Sequence, residues 1–227
     1  MKKEKLIARD LLVLAAVGRF RMLTRPQVKR WFFSEVSEPV VTRFVKRAEA
    51  CGWLGVERLG GNGMQVLWLT RKGREALVER GTPAADLFPA SGPAAAKDFA
   101  HTTAIGDAAA WLATRKPAPD ELLPAWALQR YFSGRLRVIP DLLALWRPMG
   151  NAPGAALAVE VDLGTEPLES VFLPKLRGLG AALTTWLPEA VTRILVLVPS
   201  KRRADSLRML GIDSPIAVSV EVIQETV

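Results

Sequence analysis

Three features of the sequence predict an α/β fold class, α+β overall, built in two unequal parts. Positive charge gathers at one end. Residues 1–80 hold 17 Lys and Arg against 8 Asp and Glu, whereas 81–227 hold 14 against 15, which together make the net +8 of the chain. A Pro-, Ala- and Gly-rich stretch, RGTPAADLFPASGPAAAK, lies between them and has the composition of a linker with limited flexibility. Ahead of it helical periodicity dominates and closes in one hairpin; beyond it strand-like runs alternate with helical ones. The expected division is a basic domain over 1–80, a linker over 81–97 and a mixed-sheet domain over 98–227.

The 227 residues suffice for two modest cores. With 49% hydrophobic and 24% charged residues the composition is that of an ordinary globular chain. No uninterrupted apolar run is long enough for a membrane span. The basic start MKKEK precedes an apolar stretch, but Glu4, Arg9 and Asp10 break any signal-peptide pattern. A single cysteine, Cys51, and a single histidine, His101, rule out an intrachain disulfide, a cysteine zinc site and a two-histidine metal site. This usage fits a reducing cytoplasm. There is no P-loop spacing, nucleophile elbow or Cys–His pair, so little supports a metabolic enzyme.

In the basic part, Leu6, Ile7, Leu11, Leu14 and Ala15 predict a helix over about 5–18. LTRPQVKRWFF opens a second helix, with Thr24 and Gln27 as a capping box and Pro26 tolerated in the first turn. A third helix begins near Ser37. Its apolar stripe is Val41, Phe44, Val45, Ala48 and Cys51, and Thr42, Arg43, Lys46 and Arg47 fall on the opposite side. WLGVERL and MQVLWLT are strands joined by GGNG, which suits a tight turn requiring positive φ. RKGREALVERG closes the domain as a helix. Three helices and a β-hairpin in this order resemble a winged helix-turn-helix, as does the wording LTRKGREAL after the second strand. That resemblance implies double-stranded DNA as partner, with Thr42, Arg43, Lys46 and Arg47 facing the major groove. Arg58, Arg71 and Lys72 are the wing residues expected at backbone phosphates.

Beyond the linker, KDFAHTTAIGDAAAWLATRK predicts a helix buried through Phe99, Ile105, Ala108, Ala109 and Leu112. After a polar spacer, AWALQRYF, GRLRVIPDLLALW and GAALAVEVDLG are three strand candidates. TEPLESVFLPKLRGLGAALTTW is mostly helical, TRILVLVP is a buried strand, SKRRADSLRMLG a helix capped by Ser200, and PIAVSVEVI a last strand. A hairpin centred near Asn151 brings Asp141 opposite residues near 160–162, and Glu160 and Asp162 share one strand face. Carboxylates this close need either a raised pKa or a cation, and hard oxygen ligands suit Mg2+ or Mn2+. Leu168, Phe172, Lys175, Leu179 and Trp186 form one helical stripe, which turns Lys175 toward the sheet. From there Lys175 either reaches the carboxylates or snorkels to water with its stem buried.

PD followed some twenty residues later by ExD, within an αβββαβ unit, resembles the PD-(D/E)xK restriction-endonuclease-like superfamily. The resemblance implies that Asp141 and Glu160 hold the metal, with Asp162 as a third metal ligand or an outer-shell base and Lys175 as the catalytic group that stabilises the attacked phosphate. Asp162 stands where the superfamily carries its lysine, and Lys175 is the candidate substitute. Taken with FAHTTAIGDAA and the winged helix, EVDLGTE…K is similar to the replication-relaxation family of plasmid- and mobile-element-associated proteins. His101 and Asp107 lie on the first helix of this half, either near the site's edge or in plain helix packing. Two functions follow. One is a DNA-binding protein with a metal-dependent nicking or cleaving domain. The other is a non-enzymatic transcription regulator whose second domain serves for homodimerisation or partner contact.

Overall fold

The computed structural model describes residues 6–59, 63–89, 92–94, 96–132, 137–150 and 152–223. The chain divides into two compact units, Met1–Thr114 and Arg115–Val227. The fold class is the mixed α/β one expected, with a three-stranded and a five-stranded sheet among the described residues.

The first unit runs α1 (Ala8–Arg19), β1 (Met22–Thr24), α2 (Arg25–Phe32), α3 (Glu38–Ala50), β2 (Leu54–Leu59), β3 (Met64–Leu69), α4 (Arg71–Val78), a 3-10 turn (Ala84–Asp86) and α5 (Ala96–Ala113). Its antiparallel sheet has the order β1-β3-β2, with Met22 opposite Trp68 and Val56 opposite Leu67. The capping box of α2 is present. The Gln27 amide donates to Thr24 Oγ1 at 3.3 Å, and the Thr24 amide donates to Gln27 Oε1 at 2.8 Å. Val41, Phe44, Val45 and Ala48 are the buried face of α3 as read. Most of the GGNG turn lies outside the described residues; Gly63, at its end, has φ +63°, a conformation that favours glycine.

The phase of α1 differs from expectation. Val13, Leu14, Val17 and Phe20 are buried, whereas Ile7 is 48% exposed. Leu11–Gly18 carries no polar side chain, so the pattern marks a helix without saying which side faces in. The position of α5 differs as well. The sequence assigned this helix to the second domain, but it packs in the first unit against α2 and β1. The reason is local. Gln27 Nε2 donates to the Thr103 carbonyl at 2.8 Å, and Gly106 lies so close that a Cβ would meet Gln27 Oε1 at 2.7 Å.

The second unit runs β4 (Glu121–Pro124), α6 (Ala125–Phe132), β5 (Leu142–Trp146), β6 (Ala155–Val161), a π-helical turn (Leu168–Phe172), α7 (Leu173–Trp186), β7 (Val191–Val198), α8 (Lys201–Leu210) and β8 (Ala217–Val222). AWALQRYF, read above as a strand, is therefore α6, and the edge strand is the preceding ELLP, so the consecutive βββ run is interrupted. AWALQRYF contains no β-branched residue and is rich in helix formers, while Pro124 ends the short strand just ahead of it. The sheet order is β4-β5-β6-β7-β8. The first three strands are antiparallel and the last two join in parallel. One face packs Ala156, Ala158, Ile194 and Val196 against Phe172, Leu176, Leu179 and Leu183 from the α7 region and Ala204 and Leu207 from α8. Each leucine buried this way contributes about 2 kcal/mol.

Candidate functional site

Two sets of residues stand out, one in each unit. In the first, α3 places Arg43 and Lys46 on its exposed side, opposite its apolar stripe. Arg47, expected beside them, is held elsewhere. Its Nη2 lies 2.6 Å from both carboxylate oxygens of Asp10 on α1, and Asp10 is only 1% exposed. Asp10 also accepts from the Ile7 amide at 3.1 Å, so it joins the start of α1 to α3. Periodicity could not reveal this, because Asp10 reads as a polar break in an apolar helix. Thr42 Oγ1 accepts from Arg25 Nη2 at 2.6 Å and donates to the Glu38 carbonyl at 3.0 Å. Arg58 is exposed on β2. Arg71 and Lys72 stand past the hairpin, in the exposed first turn of α4, where Arg71 pairs with Glu75 at 2.9 Å. Asp107 lies 4.0 Å from Arg30. Its carboxyl is raised by burial, against a bond from Gln27 and the Arg30 charge, which gives it a place in the α2–α5 packing. His101 lies on the same helix, half-buried.

In the second unit, the β5–β6 register of Leu142 to Val159 continues to place Asp141 across from Glu160. Residues directly opposite share a face, and this is the α7–α8 face, because Leu143 and Ala158 pack there. Asp141 is buried, and its Oδ2 accepts from the Val161 amide at 2.8 Å. Glu160 has no exposed surface. Lys175 reaches it from α7, with Nζ 2.5 Å from Glu160 Oε2. The sheet-facing prediction for Lys175 thus describes its position. Pro174 interrupts nothing, because the π-helical turn ends before it and leaves it in the first turn of α7.

Asp162 does not join this trio. Arg203 of α8 grips it through Nε at 2.7 Å and Nη2 at 3.2 Å, and Asp162 Oδ1 accepts from the Gly164 amide at 2.8 Å. Arg203 also donates to the Glu166 carbonyl at 2.5 Å. The DLGTE segment is thereby fixed to α8. The sequence pattern had no way to reveal Arg203, which lies 41 residues away in the chain.

The electrostatics of the trio follow from burial. Desolvation, then the charge of Asp141, push the Glu160 carboxyl up from 4.5 to about 8, against the opposing pull of Lys175. Burial alone would lower Lys175, but Glu160 and Asp141 outweigh it and hold its ammonium above the ordinary range. Lys175 pairs with one Glu160 oxygen at 2.5 Å and Asp141 stands beside the same carboxyl, so these two groups hold the buried Glu160. Two facing carboxylates are hard oxygen ligands of the kind a divalent cation takes, but Lys175 already occupies the place beside Glu160. Among the described residues no group of three or more His, Cys, Asp or Glu side chains is arranged to hold a metal. Nor is any described helix long and apolar enough to cross a membrane.

By architecture this is a mixed α/β protein of two units, the first basic and the second built on a sheet with two buried acids and a half-buried lysine. Residues 14–178 match the family model described as replication-relaxation, and the chain belongs to that family. The description suggests a role in DNA replication or relaxation. The match begins within α1 and ends just past Lys175, so it includes α3 and the Asp141, Glu160 and Lys175 trio but not Asp10 or Arg203. No curated protein and no solved structure matches the chain.

Proposed function

We propose that this chain binds duplex DNA through α3. The observation that carries the reading is the division of that helix, with an apolar face buried in the first unit and Arg43 and Lys46 turned outward. A helix of this width enters the major groove, and its cations meet phosphates and base edges. In this reading the first unit is a winged helix-turn-helix with β2 and β3 as its wing. Arg58, Arg71 and Lys72 supply further phosphate contacts, and Arg47 serves to hold α3 in place. The DNA would be that of a plasmid or mobile element, the setting that the family resemblance implies. Ultraviolet crosslinking of the protein to duplex DNA, followed by peptide mass spectrometry, tests it. Crosslinked peptides from residues 38–50 support the reading, and crosslinks confined to residues 115–227 overturn it.

The convergence of Asp141, Glu160 and Lys175 favours a second reading for the other unit, metal-dependent phosphodiester hydrolysis in a PD-(D/E)xK-like domain. Asp141 and Glu160 would hold Mg2+ or Mn2+, which supplies an activated water and neutralises charge on the attacked phosphate. Lys175, released from Glu160, would face that phosphate. Asp162 stays with Arg203 and positions the strand end. Supercoiled plasmid incubated with protein and Mg2+ or Mn2+ should be nicked by the parent and not by Asp141→Ala. Identical plasmid profiles would leave a non-enzymatic regulator, with the second unit serving for homodimerisation or partner contact.

A further inference from the structure

A second pair of cations sits at the start of α3, and an internal carboxylate already occupies it. Arg25, the first residue of α2, places Nη2 2.5 Å from Glu38 Oε1 and 2.6 Å from Thr42 Oγ1, and its Nη1 lies 3.3 Å from Gln65 Oε1 on β3. Lys29, one turn further along α2, places Nζ 3.5 Å from the other oxygen, Glu38 Oε2. Glu38 thus holds one cation on each oxygen, although its side chain is 51% exposed. Two cations gripping a single exposed carboxylate have the donor chemistry of an oxyanion site, and the Thr42 hydroxyl oxygen helps to aim Arg25 into it. Glu38, Thr42 and Lys46 follow at four-residue steps, so this site lies in line with exposed Lys46 and next to Arg43 on the same side of α3.

We propose that Arg25 and Lys29 form a phosphate-binding pair for the DNA backbone and that Glu38 is its internal occupant, displaced when a phosphodiester arrives. The proposal rests on the reading of α3 as the DNA-facing helix and adds a site to it. Exposed surface ion pairs contribute little to stability, so exchanging Glu38 for a phosphate costs the fold little. It does cost affinity, because two cations are spent on an internal anion before DNA binds. Arg25 remains aligned by Gln65 and Thr42 when Glu38 leaves, so the site is organised in both states.

The test is duplex binding followed by fluorescence anisotropy across a salt series, with thermal unfolding run in parallel. The variants are Glu38→Gln, Lys29→Gln and, as a control of equal charge change, Glu35→Gln. Glu35 is exposed and has no ion-pair partner among the described residues. Glu38→Gln should bind about 5-fold more tightly than the parent, with a salt slope steeper by about one. Lys29→Gln should weaken binding and make the slope shallower by about one. Glu35→Gln should stay within about 2-fold of the parent. Equal effects of Glu38→Gln and Glu35→Gln, or weaker binding by a less stable Glu38→Gln, would show a plain structural staple and overturn the proposal alone. A parent protein that binds no duplex would remove the DNA reading and this site together.

Discussion

Glu160→Gln removes the carboxyl at the centre of the trio while keeping its shape. In the folded chain that group is held up at about 8, against 4.5 in the unfolded chain. The folded state therefore binds the proton more tightly. The stability this supplies is fully present below pH 4.5 and is lost as pH rises through about 8. Across that range the loss is about 5 kcal/mol, or about 1.4 kcal/mol per pH unit. Glutamine cannot titrate, so the variant lacks this slope. Urea unfolding of parent and variant at pH 5, 6, 7 and 8 measures it. The parent should lose about 1.4 kcal/mol per pH unit relative to the variant, even if the variant is offset by its changed contact with Lys175. Parallel stability curves over that range would show that Glu160 titrates as an ordinary carboxyl, and the reading of a desolvated pair would fall.

Other consequences are independent of that one. If Asp141 and Glu160 take up a divalent cation, it must displace the Glu160 proton, so Mn2+ affinity measured by calorimetry should rise with pH up to about 8 and level off above it; an affinity that is flat between pH 6 and 8 would contradict this. Arg47→Ala leaves the buried Asp10 carboxylate without its ion-pair partner and should destabilise the protein by about 2–4 kcal/mol in chemical unfolding, with a DNA salt slope changed by less than that of Arg43→Ala. Asp162→Ala breaks the Arg203 grip on the DLGTE segment and should lower stability by about 1–3 kcal/mol, while leaving Mn2+ affinity within a few-fold of the parent. Gly106→Ala pushes a methyl into Gln27 and should cost about 1–3 kcal/mol, together with faster amide exchange at Thr24 and along α5.

What could be read from the sequence divides along physical lines. Local rules did well where one interaction decides the outcome. The Thr24–Gln27 capping box, the apolar stripe of α3 and the Ser200 cap of α8 each depend on residues within a turn or two. The Asp141–Glu160 juxtaposition was legible because strand alternation and a hairpin centre fix register together. Lys175 was legible because helical spacing tied it to Leu179, which is buried on the sheet-facing side of α7. Misreadings arose where tertiary partners outvote the local pattern. AWALQRYF carries aromatic residues that suit a strand but has the composition of a helix, and here composition decides. α5 follows a linker-like stretch, yet Gln27 and Gly106 bind it to the first unit. Arg47 and Asp162, expected at DNA and metal by their types and spacing, pair with Asp10 and Arg203, distant partners that no local pattern could show. Arg25 and Lys29 went unread because they belong to the capped helix rather than to α3. Their four-residue spacing on α2 was the available signal.

The most direct test of the central claim is the salt dependence of duplex binding for the parent and for Arg43→Ala/Lys46→Ala, compared at equal thermal stability. The account predicts that the parent's affinity falls steeply with salt and that the double variant binds more weakly, with a slope shallower by about two. Equal affinities and slopes for the two proteins would contradict it.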